Sequence, residues 1–442
     1  MMKEYVIVGA GISGLTAALA IKKKQRSAKI LLVDAANEPG GLLRSHQFGG
    51  MAFDLGTHIP ELTENSDLNK LIFPDNIIEK WHILSELNVG NFFSGKLNNE
   101  SQFLNLTETH PIFHQALNEL LKINIADLTN YKNLQDSLTA LYGVSLTEQV
   151  LKPLILKMTD THPKDLTPQA IIYYGLSRIA IGNRQQALNL KKIPNLDRVL
   201  AYTQDKEKPR QSTWIYPGHK GVGEWVNFMY KSCITQGVEF RMQQRVNIVT
   251  TSVLGYRLET SHDDFIDTKH LIWTLPFYNS LQGGEHTRYQ TRSIAIYHFI
   301  SQAAPKTDRH YIYCQQADMH SYRLTFYDNI SPKQDNRPYR ISVEVIFDGV
   351  APNEGSILRE MTQMGLFDHP KAVALVGINK IPAGFPIPKV ESQQHQRALF
   401  SQVQSNYPNV IFAGRGKPGL FFTGEVLLDI YSNINSLIAA KE

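Results

Sequence analysis

Cysteine is nearly absent from this sequence. Its 442 residues contain two, Cys233 and Cys314. That argues against a secreted disulfide scaffold and against a cysteine-rich metal site. No HExxH run and no paired CxxC occurs, and the histidines are scattered, so no metal is expected. Long apolar runs are missing too: none approaches the ~18 residues that a bilayer span requires. The opening MMKEYVIVGAGISGLTAALAIKKK is cut by glycines, ends in lysines and has no cleavage-like tail. It reads as a first strand and helix rather than a signal peptide. NES at 99–101 and NLT at 105–107 match the glycosylation pattern, but nothing else suggests secretion. A cytoplasmic protein is expected. An excess of one charge is also lacking. The net charge is +4, and basic residues are dispersed apart from IKKKQR at 21–26, where the first helix should end. Lysines there suit the negative end of a helix dipole, so no nucleic-acid partner is expected.

What the sequence does contain is an ordinary globular composition, 42% hydrophobic and 19% charged, enough for two or three domains. YVIVG is a short apolar run of the kind a buried parallel strand needs. Gly9, Gly11 and Gly14 then spell GxGxxG, and an Ala/Leu-rich helix follows. Gly9 permits the tight turn, Gly11 lets the backbone approach a pyrophosphate, and Gly14 lets helix and strand pack closely. The helix amino terminus offers free N–H groups and a positive dipole end to phosphates. A second apolar run, KILLVD, ends in Asp34, 20 residues after Gly14, where a carboxylate can accept a ribose hydroxyl.

Beyond Asp34 come PGG at 39–41, Arg44 and FDLGTH at 53–58. With the GxGxxG unit, these segments resemble the flavin-dependent amine oxidase superfamily, which includes protoporphyrinogen oxidases, phytoene desaturases and UDP-galactopyranose mutases. The resemblance implies non-covalently held FAD. Gly40, Gly41 and Arg44 would lie along the pyrophosphate and ribityl chain, and Gly56, Thr57 and His58 beside the flavin ring. Near the far end, NVIFAGRGKPGLFFTGEVLLDIYSNINSLIAA at 409–440 resembles the unit that closes the FAD site. It places Arg415 at the pyrophosphate and a helix starting near Glu425 at the flavin edge. The GR version leans modestly toward the mutase-like branch. GVEFRMQQRVNIVT resembles the strand whose valine meets adenine, here Val246, and HLIWTLPF at 270–277 resembles the crossover leaving the FAD domain.

The expected fold is α/β. A Rossmann-type FAD-binding domain is assembled from residues 1–70, 205–285 and 385–442. A helical insertion spans 71–204, and a mainly antiparallel substrate domain spans 286–384. The polar, proline-bearing stretch 201–213 is expected to be a loop or lid. Aromatic and β-branched runs at 286–384, interrupted by EGSILREMTQMGLF, suggest a sheet with a helix against it. Arg323 and His58 are candidate catalytic residues. Trp214, Tyr216, Tyr313 and Phe385 are candidate substrate contacts; Tyr311, Tyr322 and Tyr327 could line the same cavity. The expected activity is oxidation of a small metabolite by hydride transfer to flavin N5, with His58 as proton acceptor or orienting group. The electron acceptor, the substrate and the oligomeric state are left open by the sequence. Two alternatives stand beside it: a non-redox UDP-galactopyranose mutase-like enzyme acting on a nucleotide sugar, and an FAD-binding protein without turnover.

Overall fold

The computed structural model describes residues 3–123, 131–202, 212–275, 290–333 and 336–440. Most of the stretch 201–213, and Pro276 and Phe277 of the expected crossover, lie outside the described residues. The chain forms two seven-stranded sheets and a helical region. In the first sheet, β1 (Lys3–Val8) lies parallel between β2 (Ile30–Val33) and the strand Phe265–Trp273. Glu239–Arg241 extends it beyond β2, again in parallel. Ile411–Phe412 adds a parallel strand against Phe265–Trp273, and an antiparallel hairpin, Val246–Ser252 with Gly255–Thr260, completes it. The described part of this sheet thus comes from distant stretches of the chain.

Both faces of that sheet are covered, which explains why β1 and β2 read as unbroken apolar runs. Tyr5 and Ile7 point to one side, into a core shared with α1 (Ile12–Lys24), Gly223–Thr235 and the closing helix Thr423–Ala439. Val6 and Val8 point to the other, toward Val403 and Tyr407 at the end of the helix Val390–Asn406. The KKK run lies in the last turn of α1, as expected.

The second sheet runs in the order Val373–Pro386, Thr291–Ser301, Tyr339–Phe347, Ser321–Phe326, Tyr311–Cys314, Val89–Phe93, Lys96–Asn98. Its pairings are antiparallel except between Tyr311–Cys314 and Val89–Phe93. Residues 71–204 are therefore not wholly helical, because 89–98 supply two strands to this sheet. The helices Phe113–Leu120, Leu134–Leu146 and Lys152–Thr159 build a separate apolar core, which Phe385 and Ile387 join.

Alternation along Tyr339–Phe347 decides what this sheet shows to each side. Ile341, Val343 and Val345 pack under the helix Glu354–Gln363. Arg340, Ser342 and Glu344 point the other way and are also buried. What covers them is the hairpin of β3 (Ser45–Phe48) and β4 (Met51–Asp54), joined by hydrogen bonds instead of apolar contact alone. The Asp54 N–H donates to Tyr327 Oη (3.1 Å), Tyr327 and Ser342 hydroxyls meet at 2.9 Å, and Ser342 Oγ lies 2.8 Å from His298 Nδ1.

His298 and His310 are 0% and 4% exposed. Burial first, with nearby positive charge second at Arg309 for His310, pulls both down to about 4. In the unfolded chain each titrates near its ordinary ~6.5. Below that value the unfolded state binds protons that the folded state refuses, so stability is complete above pH ~6.5 and is lost toward pH ~4. The urea midpoint should fall between about pH 7 and about pH 5.5, already above the range where carboxylates titrate. A midpoint that stays flat over that window contradicts the two buried neutral rings.

Candidate functional site

An open cleft lies where β1 passes into α1. Gly9 has φ +107°, and a Cβ there would collide with Thr274 Oγ1. A Cβ on Gly14 would collide with the Gly9 carbonyl. Gly11 differs: a Cβ there would have nothing within 4 Å. The protein does not need a glycine at that position for its own packing; the space beside it belongs to the cleft. Gly11 is also the residue before the first turn of α1, with no side-chain cap and no acidic residue in that turn. The exposed end of the dipole is therefore positive and its N–H groups face the opening.

Three further segments complete the wall. Gly40 N–H donates to the Ala10 carbonyl (2.8 Å), and Gly40 and Gly41 have φ of +117° and +58°. Arg44 Nε donates to the Gly41 carbonyl (2.9 Å) and so braces this second glycine turn. Gly414, at φ +83°, brings its backbone against the Thr274 carbonyl, where a Cβ would lie at 2.6 Å. The resulting cleft, about 130 Å³, is lined among others by Gly11, Ser13, Gly41, His58, Arg415 and Thr423. Ser13 and Thr423 were not named from the sequence, although both helix starts were expected at the site.

Asp34 lies beside the first glycine turn, outside the residues that line the cleft. Its Oδ2 accepts the Ala10 N–H (2.6 Å) and its Oδ1 the Ala36 N–H (2.8 Å). A carboxylate has further lone pairs, so a ribose hydroxyl could still be accepted. Backbone bonds from Gln243 N–H to Ala36 (2.8 Å) and Gln244 N–H to Asp34 (2.9 Å) hold the segment before Val246 against this loop.

His58 lines the cleft itself. Its Nε2 lies 3.1 Å from the Leu55 carbonyl, an acceptor only, so Nε2 carries the proton and Nδ1 is the free acceptor of the neutral ring. Burial, then the charges of Arg415 and Arg323, pull its pKa down to about 4. Beside two guanidinium groups this ring is a weak base. Arg415, reached by solvent through the cleft, is itself lowered by desolvation and by Arg323.

Behind His58 lies a group of which the sequence reading named Arg323, Tyr313 and Tyr322 but missed Glu344. Arg323 donates to both oxygens of Glu344, each at 2.8 Å, and Tyr313 and Tyr322 place their rings 5.8 Å from its guanidinium carbon. A register shift between Ser321 and Arg323 lets the neighbours Tyr322 and Arg323 face the same side. YRISVEVIF shows the alternation of Glu344, but not that its polar face is covered.

Other expected contacts fall elsewhere. Tyr216 is fully buried and donates to Asp54 Oδ2 (2.6 Å), so it serves the fold rather than the cleft. Asp54 also accepts Ser45 Oγ–H (2.6 Å) and Val222 N–H (2.9 Å). Trp214 pairs with Leu84 in a two-stranded ribbon and packs against the Met51 and Phe53 cluster. Glu425 turns back to accept the N–H groups of Phe421 (3.3 Å) and Phe422 (3.0 Å), capping its own helix, which begins at Thr423. Phe385 stacks on Tyr174 at 5.5 Å in the helical core, with its edge toward Tyr322 at 5.6 Å. Tyr327 is wholly buried. Among the described residues, no cluster of three or more His, Cys, Asp or Glu could hold a metal ion. No described helix is long and apolar enough to cross a membrane.

Residues 7–72 match the NAD(P)-binding Rossmann-like domain family. The full chain superposes on reduced UDP-galactopyranose mutase with a TM-score of 0.76 at 16% identity, covering 99% of this chain and 96% of the other. The chain therefore shares the fold of that protein. Two sequence relatives match over short stretches. A 1-hydroxycarotenoid 3,4-desaturase of Flavobacterium sp. is 38% identical over 74 residues, 17% of this chain and 15% of that protein. A coproporphyrinogen III oxidase of Staphylococcus aureus is 36% identical over 56 residues, 13% of this chain and 12% of that protein. These matches thus span under a fifth of either relative.

The contrast between the two superfamily glycines can be measured. Gly11→Val should fold, since its φ of −73° suits any residue and open space receives the side chain. It should lose uptake of a dinucleotide, assayed by reconstitution with FAD, while circular dichroism stays near wild type. Gly14→Val should instead lose soluble, folded protein. Full FAD uptake by Gly11→Val would count against the cradle.

Proposed function

We propose that the protein is an FAD-dependent oxidoreductase that holds FAD non-covalently in this cleft and oxidises a small metabolite by hydride transfer to flavin N5. The observation that carries this reading is the open space at Gly11 beside an uncapped helix start, a cradle that a side chain would fill and that suits a pyrophosphate. Bound there, FAD would supply the hydride acceptor. The N–H groups at the start of α1 and Arg415 would meet the phosphates, Gly40, Gly41 and Arg44 would border them, and Asp34 would accept a ribose hydroxyl. Val246 would face the adenine. Gly56, Thr57 and His58 would border the ring, and the start of Thr423–Ala439 would turn its positive dipole end toward it. Both cysteines are buried in apolar cores, Cys233 under the first sheet and Cys314 in the second, which speaks against a cysteinyl link.

His58 keeps its proton on Nε2 and offers Nδ1, so its role is to orient a donor group of the substrate. Arg323, fixed between two tyrosines, would orient the substrate from the second sheet. The names of the desaturase and oxidase relatives accord with redox chemistry. The fold likeness to UDP-galactopyranose mutase supports a second reading, a non-redox flavoenzyme acting on a nucleotide sugar.

An anaerobic metabolite screen tests the choice. The first reading expects acid-releasable FAD that bleaches with one substrate class. The second expects turnover only after added reductant, without net oxidation. Protein with no acid-releasable flavin that also fails to take up FAD contradicts both. His58→Ala should keep its FAD, change its visible spectrum and slow reduction by the substrate about 10²-fold, the scale of a misplaced substrate. The wild-type reduction rate should show no inflection near pH 6.5 that His58→Ala removes; such an inflection would restore His58 as the proton acceptor.

A further inference from the structure

Glu344 is 3% exposed and lies midway along Tyr339–Phe347. Its Oε1 accepts Arg323 Nε–H (2.8 Å), Thr57 N–H (3.0 Å) and Thr57 Oγ–H (3.0 Å); its Oε2 accepts an Arg323 terminal N–H (2.8 Å). Three donors share Oε1 and one reaches Oε2, so both oxygens are hydrogen-bonded while Oε2 keeps acceptor capacity. Burial alone would raise its pKa, but Arg323 and these bonds hold it below the usual carboxylate range. Arg323 remains a cation despite its own burial, because Glu344 lies against it.

The carboxylate joins two walls of the site. Thr57 lies between Gly56, whose φ is +103°, and His58, which lines the cleft. A Cβ on Gly56 would stand 3.5 Å from Glu344 Oε2 and 3.6 Å from His58 Nε2. Thr57 and Thr325 hydroxyls also touch, so the turn is fastened to two strands of the second sheet. The charge of Arg323 acts on both His58 and Arg415, and Glu344 opposes it at His58.

We propose that Glu344 is a positioning residue: it fastens Arg323 and the turn Gly56–Thr57–His58 into one unit and cancels the Arg323 charge, thereby setting the reduction potential of the flavin. This rests on the reading of the cleft as an FAD site. Removing one partner of a buried ion pair leaves the other charge uncompensated. An uncompensated cation near the flavin favours the negatively charged reduced form, and an uncompensated carboxylate disfavours it.

The experiment is a dye-coupled midpoint titration of purified, FAD-loaded protein at pH 8. Glu344→Gln should raise the potential, Arg323→Met should lower it, and the double variant should return close to wild type. Glu344→Asp, which keeps the charge, should stay near wild type. If Glu344→Gln does not fold, Arg323→Met and the double variant decide. A purely structural role predicts lower stability with the same potential in all folded variants, and that result overturns the assignment. Wild-type protein that takes up no FAD overturns the reading of the cleft itself.

Discussion

The close approach of α1 to β1 is the constraint on which the rest depends. No side chain fits at Gly14, whose missing Cβ leaves room for the Gly9 carbonyl, and none fits at Gly9, where Thr274 closes in. This contact fixes where the helix begins and aims its N–H groups along the sheet edge. Everything else at the cleft is arranged around that opening. The Gly40–Gly41 turn bonds to Ala10, and Gly414 presses on Thr274 from the opposite side. Gly11, Gly40 and Gly41 line part of the cleft, so backbone is approachable there without side-chain bulk.

A second constraint joins the β3–β4 hairpin and its following turn to the second sheet. The faces that meet are polar yet buried, and burial of polar groups costs stability unless each is partnered. Asp54 gathers Ser45, Tyr216 and the Val222 N–H; Glu344 gathers Arg323 and Thr57. His298 bridges Ser342 and Asn379 at 2.8 Å each. Such directed bonds fix the register between β4 and the second sheet more strictly than apolar contact would. They keep the turn that lines the cleft in one conformation.

The electrostatics of the site follow from this seam. Two guanidinium groups, Arg415 and Arg323, act on the half-buried His58 imidazole, and among the described residues the Glu344 carboxylate stands against them. The site is thus prepared for negative charge, while His58 is kept neutral. A histidine that its sequence context marks for the site acquires on folding two cationic neighbours that disfavour its protonated form.

The sequence by itself determined the amino-terminal unit. An apolar strand, three glycines at set spacing, a helix with lysines in its last turn and an acidic residue at the end of the next strand are all local requirements, so they are legible in order along the chain. Five strands of the second sheet were legible too, because alternation and aromatic content mark each separately; the two at 89–98 were not. Only the tertiary structure decided which polar residues would serve the cleft. Thr57 and Glu344 are separated by 287 positions, and Tyr216 and Asp54 by 162. Tyr216 has the look of a site tyrosine until its hydroxyl meets Asp54, and Glu425 has the look of a site carboxylate until it caps its own helix. Glu344 has the look of a solvent-facing residue until β4 and its following turn cover it. Periodicity states that a side chain faces one side of a strand; it does not state what arrives on that side, and the arriving partner sets charge, tautomer and role.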